Sequence, residues 1–575
     1  MMITVYDTTL RDGTQREGMS LSVEDKLRIA TRLDLLGFHY IEGGFPGSNL
    51  KDIEFFKRVV ELELKNAVVS AFGSTRHKDT LPEDDTGLTA LLGTGCEALC
   101  IFGKAWTLHV TETLRATLDQ NLDMVRDSVA FLKAHGRTVF FDAEHFFDGY
   151  RADPSYALEV CRAAVEVGAD AVVLCDTNGG TLPHEIARIV AEVAAAVAAK
   201  ANAVAPVNAR DNARPNSVPV GGARSAGVSL GIHAHDDSGC AVANSLLAVE
   251  AGCVHVQGTM NGYGERAGNA NLATIVSALE LKMGLNAVGR ERLKLFTEAS
   301  HYVAEIANIA PNPYQPYVGA SVFAHKGGVH ASAVARLPEA YEHVDASAVG
   351  NLARVVVSEL AGRTSLVLKA KEMGIELVGD SVADALDAIK DLEYRGYSFE
   401  AADGSLELML RKRLGIYEPL FRLESLRVIA EKREDGKVMT EATLKIHCQG
   451  NRFIATAEGN GPVNALDKAL RIAISRFYPR LEEISLVDFK VRVLDERKGT
   501  GAVTRVLIES ADSGRSWGTV GVSENIIEAS WEALVDSIEY GLARASAKPT
   551  AAVPEPAEPE PEAAEHAGTR PTSGE

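Results

Sequence analysis

Short apolar, β-branched runs alternate with longer amphipathic segments along the first 285 residues. The runs at 3–6, 39–42, 67–71, 97–102, 138–142, 169–174, 228–233 and 253–257 read as strands. Between them, apolar residues at helical spacing predict helices over 22–36, 50–61, 111–134, 154–167, 183–198 and 239–251. Eight such strand-helix units fit a closed (β/α)8 TIM barrel better than an open sheet, giving an α/β domain over 1–287. One stretch breaks the rhythm: residues 200–226, rich in Ala, Asn, Pro and Gly, read as a flexible insertion before the seventh strand, on the face away from the chemistry.

The pattern then changes twice. Over 288–420 helical periodicity dominates, with helices expected at 291–309 and 381–394, and this part reads as helical linker subdomains. Over 421–545 three strand-like runs and a helix occur twice in succession, predicting an α+β module of two βββα units. The segment 546–575, mostly Ala, Pro and Glu, lacks the large apolar residues needed for a core and is expected to be a disordered acidic tail.

Composition narrows the function. The net charge of −20 argues against nucleic acid or an anionic membrane as the main partner. The first residues show no basic region followed by an apolar one, and no run approaches the roughly 18 apolar residues of a membrane span. A cytoplasmic protein is expected. Seven cysteines without a Cys-x-x-Cys pair exclude a disulfide scaffold and make a zinc ribbon an unsuitable reading.

In such a barrel the chemistry sits at the carboxyl ends of the strands. His233 and His235 are two apart on the seventh strand and share a face, and Asp12 follows the first strand on the same rim. Two imidazoles and a carboxylate on one side of a cation leave its other positions for substrate oxygens, so the three are candidate metal ligands. His-x-His alone reads equally well as two rim histidines in ordinary hydrogen bonds. Arg11 either polarises a carbonyl or pairs with Glu42 or Glu144. Glu144 and Thr177 are candidate acid/base and hydrogen-bonding groups, and Asn269 is either a neutral ligand or a helix cap. The loop 262–268 reads as a tight turn held by an ion pair of Glu265 or Arg266.

The runs Asp7-Thr8-Thr9-Leu10-Arg11-Asp12-Gly13, His233-Ala234-His235-Asp236-Asp237 and Asn261-Gly262-Tyr263-Gly264-Glu265-Arg266-Ala267-Gly268-Asn269 resemble those of the Claisen-condensing synthases that include 2-isopropylmalate, homocitrate and citramalate synthases. The resemblance extends to the C-terminal module, which looks like their allosteric domain. The segments 41–49, 258–266, 341–344 and 356–363 are most similar to the citramalate branch. The resemblance implies acetyl-CoA and pyruvate as substrates, a divalent metal (Mg, Mn or Zn), a homodimer and isoleucine as effector. It implies Asp12, His233, His235 and Asn269 at the metal, and Arg11, Glu144, His330 and Tyr341 as catalytic residues. Arg11 and Thr177 would contact the substrate, and His330 and Tyr341 would come from the partner chain. The same residues leave open 2-oxoisovalerate as the acceptor, or a retro-aldol lyase acting on a hydroxyacyl-CoA.

Overall fold

The computed structural model describes residues 2–201, 228–326, 330, 333–334, 336–357, 362–432, 434–494 and 501–546. The expected insertion and acidic tail lie, apart from their first residues, outside the described residues. The chain divides into two compact units, Met1–His325 with Ser332–Arg354, and Lys326–Ala331 with Val355–Glu575.

In the first unit eight parallel strands close into a barrel. They are β1 (Thr4–Asp7), β2 (Tyr40–Gly44), β3 (Val68–Ser74), β4 (Ala98–Lys104), β5 (Thr138–Glu144), β6 (Ala171–Asp176), β7 (Ser229–Ala234) and β8 (His255–Gly258), with β8 pairing β1. The period of two sorts their side chains. Val5, Ile41, Leu99, Ile101, Val139, Phe141, Val172, Leu174, Ile232 and Val256 belong to the core shared with the helices. The alternate positions fill the barrel: Tyr6, Phe72, Ala98, Cys100, Phe140 and Ala171 form a separate buried cluster, with the Phe140 ring 4.8 Å from Tyr40 and 5.5 Å from Tyr6. Towards the carboxyl ends the inward positions turn polar, and this layer forms the floor of the site.

All the strands run one to three residues beyond their predicted carboxyl ends, β7 and β8 by one and β3 by three. Backbone pairing carries the ladder past the apolar run, as in Gly103↔Ala143 and Lys104↔Glu144. The short helix Thr86–Gly93 is not predicted by the periodicity, because Thr and Gly dilute its pattern. Asp85 starts it by accepting from the N–H groups of Gly87 and Leu88. The helix expected over 111–134 is interrupted: a π-helical turn spans His109–Thr113, Arg115 has a positive φ, and the helix begins at Leu118 behind the Thr117–Gln120 capping box.

In the second unit, the strands Arg422–Lys432, Val438–Cys448 and Asn451–Gly459 form one antiparallel sheet, followed by the helix Pro462–Ile474. Strands Ser485–Val493, Thr504–Ala511 and Ser516–Ser523 form a second, followed by the helix Ile526–Ser546. Cys448 pairs Asn451 across a two-residue turn whose Gln449 and Gly450 both have positive φ, 48° and 78°, the requirement of a type I′ hairpin. Leu444, Ile446, Leu470, Val506, Ile508, Trp517, Trp531 and Leu534 bring both helices and both sheets into one core. Among the described residues no helix is long and apolar enough to cross a membrane, and all seven cysteines are free.

Candidate active site

The loop after β1 starts the site. Buried Asp7 accepts from the N–H and hydroxyl of Thr9, both at 2.9 Å, and the Thr9 hydroxyl accepts from the Met260 N–H at 2.7 Å. Burial pushes the Asp7 carboxyl up to about 7. These bonds tie the β1 and β8 loops together and bring Arg11 and Asp12 to the rim.

Asp12 Oδ2 lies 3.1 Å from His233 Nε2 and 3.9 Å from His235 Nε2, and the two imidazole nitrogens are 3.4 Å apart. Among the described residues this is the one group of three or more His, Cys, Asp or Glu whose ligand atoms converge in this way. Ligands bonded at about 2.1 Å would stand about 3.0–3.4 Å apart around a small divalent cation; the 3.1 and 3.4 Å separations fall in that range and the 3.9 Å from Asp12 to His235 is wider. Burial pushes Asp12 up, but Arg11 and His233 outweigh it and hold the carboxyl well below its usual range. Burial, then the neighbouring His233, push His235 down to about 4, keeping it a neutral imidazole. His233 is also penalised by burial, yet its bond to Asp12 and that charge move it upward.

Asn269 arrives beside this group because its backbone bridges His235 and the next residue, Ala270, donates to Ala234 O at 2.9 Å. Its Nδ2 donates to Asp12 Oδ2 at 2.9 Å and lies 3.3 Å from His233 Nε2, while its buried Oδ1 has no partner. Exchanging the two ends of the amide would aim that orphaned oxygen at the same cluster. A Cβ on Gly264 would stand 1.8 Å from it, so only glycine fits there. Asn269 does not cap the following helix; Asn271 does, accepting from Ala273 N–H at 3.0 Å. The donor set of two imidazoles, a carboxylate and a neutral amide oxygen fits a divalent metal.

Arg11 pairs with Glu42, Nε to Oε2 at 2.5 Å, stacks over the Phe72 ring at 3.8 Å, and reaches Asp12 Oδ1 at 3.5 Å. Tyr6 OH in turn donates to Glu42 Oε1 at 2.8 Å. Burial would lower the guanidinium pKa, but Asp12 and Glu42 raise it, so the cation is permanent. Arg11 thus makes the ion pair with Glu42 and still faces the open space.

That space is a cavity of about 470 Å³, with Arg11, Asp12, Glu144, Thr177, His233 and His235 in its wall. Phe45, Phe72, Phe102 and Cys175 supply its apolar side, with Phe72 and Phe102 stacked at 5.5 Å. Glu144 is ion-paired to Lys104 at the end of β4, a partner that the sequence pattern did not indicate. Thr177 accepts the His145 N–H at 2.9 Å through its hydroxyl, and its carbonyl accepts from Arg266 at 2.8 Å. The ion pair that holds the 262–268 loop is principally Arg266 with Asp237, at 2.7 and 2.9 Å. Glu265 stands farther off, at 3.4 Å.

Tyr341, in the same unit as the cavity, is exposed and does not line it; His330 belongs to the other unit and is exposed. Two buried groups, Asp142 and Gln257, were not singled out by the sequence either. Their signal is an acid or amide at an inward position near the carboxyl end of a strand.

The sequence matches three family models. Residues 2–208 and 223–299 match the HMGL-like family, 317–396 the homocitrate synthase post-HMGL domain-like family, and 400–542 the LeuA allosteric (dimerisation) domain. The break in the first match falls within the segment read as an insertion. The chain is 49% identical to an (R)-citramalate synthase of Geobacter sulfurreducens over 94% of its length and 98% of the relative. It is 50% identical to an (R)-citramalate synthase of Streptomyces coelicolor over 95% of its length and 97% of the relative. A 2-isopropylmalate synthase of Methanocaldococcus jannaschii is 30% identical over 94% of the chain and 95% of the relative.

Proposed function

The chain belongs to the (R)-citramalate synthase family, and on that premise we propose that it condenses acetyl-CoA with pyruvate and hydrolyses the thioester, giving (R)-citramalate and CoA. The product would enter isoleucine biosynthesis. The observation that carries the reading at the site is the Asp12, His233 and His235 cluster beside Arg11 in one cavity.

Asp12, His233 and His235, with Asn269 adjoining them, would hold a divalent cation, Mg, Mn or Zn, which when bound supplies a Lewis acid for the keto and carboxylate oxygens of a 2-oxo acid. Arg11, fixed by Glu42 and Phe72, turns its remaining N–H groups to the cavity and stabilises the negative charge that forms on the former keto oxygen. Thr177 contributes to the substrate wall. Glu144, ion-paired with the Lys104 ammonium, would exchange a proton at the acetyl methyl group. The deprotonated acetyl carbon attacks the keto carbon, and water then releases CoA. His330 and Tyr341 are proposed to complete the site of a second copy in a homodimer, and the C-terminal domain to bind isoleucine. The match to a LeuA allosteric (dimerisation) domain supports a dimer and an effector site.

Free CoA release from acetyl-CoA, with pyruvate, 2-oxobutyrate, 2-oxoisovalerate and 2-oxoglutarate supplied in turn, tests the proposal. Pyruvate should give the highest kcat/KM, a chelator should abolish turnover, and isoleucine should inhibit it. Preference for 2-oxoisovalerate would make the chain a 2-isopropylmalate synthase, and turnover that survives the chelator would remove the metal from the mechanism.

A further inference from the structure

Gln257 is a fully buried amide in β8, paired in register with His233 of β7. Both ends of its side chain are engaged. Oε1 lies 2.8 Å from His233 Nδ1, while Nε2 donates to Asp142 Oδ1 at 3.0 Å and lies 3.5 Å from His255 Nε2. With Asp142 ionised, its oxygens only accept, so the amide points one way: turned round, its carbonyl would meet the Asp142 oxygen. The acceptor end must therefore face His233, and Nδ1 must carry a hydrogen.

This matters because His233 stands between two acceptors. Its Nε2 is 3.1 Å from Asp12 Oδ2, and a hydrogen on Nε2 would satisfy Asp12 equally well while blocking the lone pair that binds a cation. We propose that Gln257, oriented by Asp142, is the positioning residue that fixes His233 as its Nδ1–H tautomer and leaves Nε2 free as a metal ligand. The inference rests on the reading of Asp12, His233 and His235 as a cation site. Groups behind a ligating histidine commonly set its tautomer and basicity. Here the relay is two residues long and crosses the barrel interior from β5 through β8 to β7.

The test is a Mn²⁺ titration of the metal-stripped full-length chain, followed by electron paramagnetic resonance, with circular dichroism to confirm folding. Gln257→Leu should bind Mn²⁺ about 10–100-fold more weakly than the parent. The exchange Gln257→Glu with Asp142→Asn keeps an acceptor towards His233 and a donor behind it, and should bind within about threefold of the parent. A neutron structure of the parent should show a deuteron on His233 Nδ1. A folded Gln257→Leu variant with parental affinity would overturn the proposal, as would an exchanged pair as weak as Gln257→Leu or an Nδ1 without deuteron. If Gln257→Leu does not fold, the exchanged pair and the neutron density decide. Failure of the parent to bind Mn²⁺, or undiminished binding by Asp12→Ala, would instead remove the cation site itself and the proposal with it.

Discussion

Replacing Arg11 by Ala should damage stability and turnover through two different partners, and the two effects should be separable. On the stability side the partner is Glu42, which is fully buried and whose Oε2 has Arg11 Nε at 2.5 Å. Without the guanidinium, the Tyr6 hydroxyl on Oε1 still donates to the carboxylate, while the nearby Asp142 charge repels it. A buried charge left without its partner costs about 3–5 kcal/mol, a large part of the roughly 5–15 kcal/mol that holds a domain together. On the catalytic side, loss of a donor aimed at a developing oxyanion lowers kcat by about 10²–10³. Adding Glu42→Gln removes the stranded charge, so the Arg11→Ala/Glu42→Gln double variant should regain about 2 kcal/mol or more while turnover stays low. Urea denaturation reads the first quantity and CoA release the second. An Arg11→Ala variant as stable as the parent would refute the stranded-charge effect, and a double variant that recovers turnover along with stability would refute the separate catalytic role of Arg11.

Other expectations follow from the same geometry. Glu144→Gln should lower kcat by about 10²–10⁴ with little change in pyruvate affinity, measured by steady-state kinetics and isothermal titration; parental turnover would remove Glu144 as the proton acceptor. Phe102→Ala opens the apolar wall beside Phe72, and should shift specificity from pyruvate towards 2-oxobutyrate by about tenfold in kcat/KM; an unchanged ratio would mean the acceptor's alkyl group lies elsewhere. Burial, then Arg292, push His39 down to about 4, and its Nδ1 accepts the Val5 N–H at 3.1 Å. The unfolded chain takes up a proton near pH 6.5 and the folded chain does not, so His39 contributes full stability above that pH and loses up to about 3 kcal/mol of it as pH falls towards 4. His39→Gln should flatten that part of the pH profile of the urea midpoint, and identical profiles would refute the assignment.

How much of this was visible in the sequence depended on whether a residue's role is local. The eight strands announced themselves because each carries its own apolar run, and Asp12, His233 and His235 because strand ends must face the same rim once the barrel closes. Lys104, Asp142 and Gln257 did not, since each is a single polar residue whose meaning lies in another strand: Lys104 in Glu144 of β5, Gln257 in His233 of β7 and Asp142 of β5. Asn269 and Asn271 are interchangeable by capping rules, and only the backbone bridge of Asn269 to His235 separates the neighbour of the cluster from the cap. The interruption at His109–Thr113 was hidden because the apolar period of 111–134 continues through it. His330 and Tyr341 were singled out by resemblance alone.

A competition in one vessel decides which 2-oxo acid the enzyme accepts. Pyruvate and 2-oxoisovalerate at equal concentration, with limiting acetyl-CoA and Mn²⁺, compete for the same enzyme, so the product ratio equals the ratio of their kcat/KM values. Chiral chromatography with mass detection should find (R)-citramalate as the dominant product. A mixture dominated by 2-isopropylmalate, or citramalate of the opposite hand, would contradict the account.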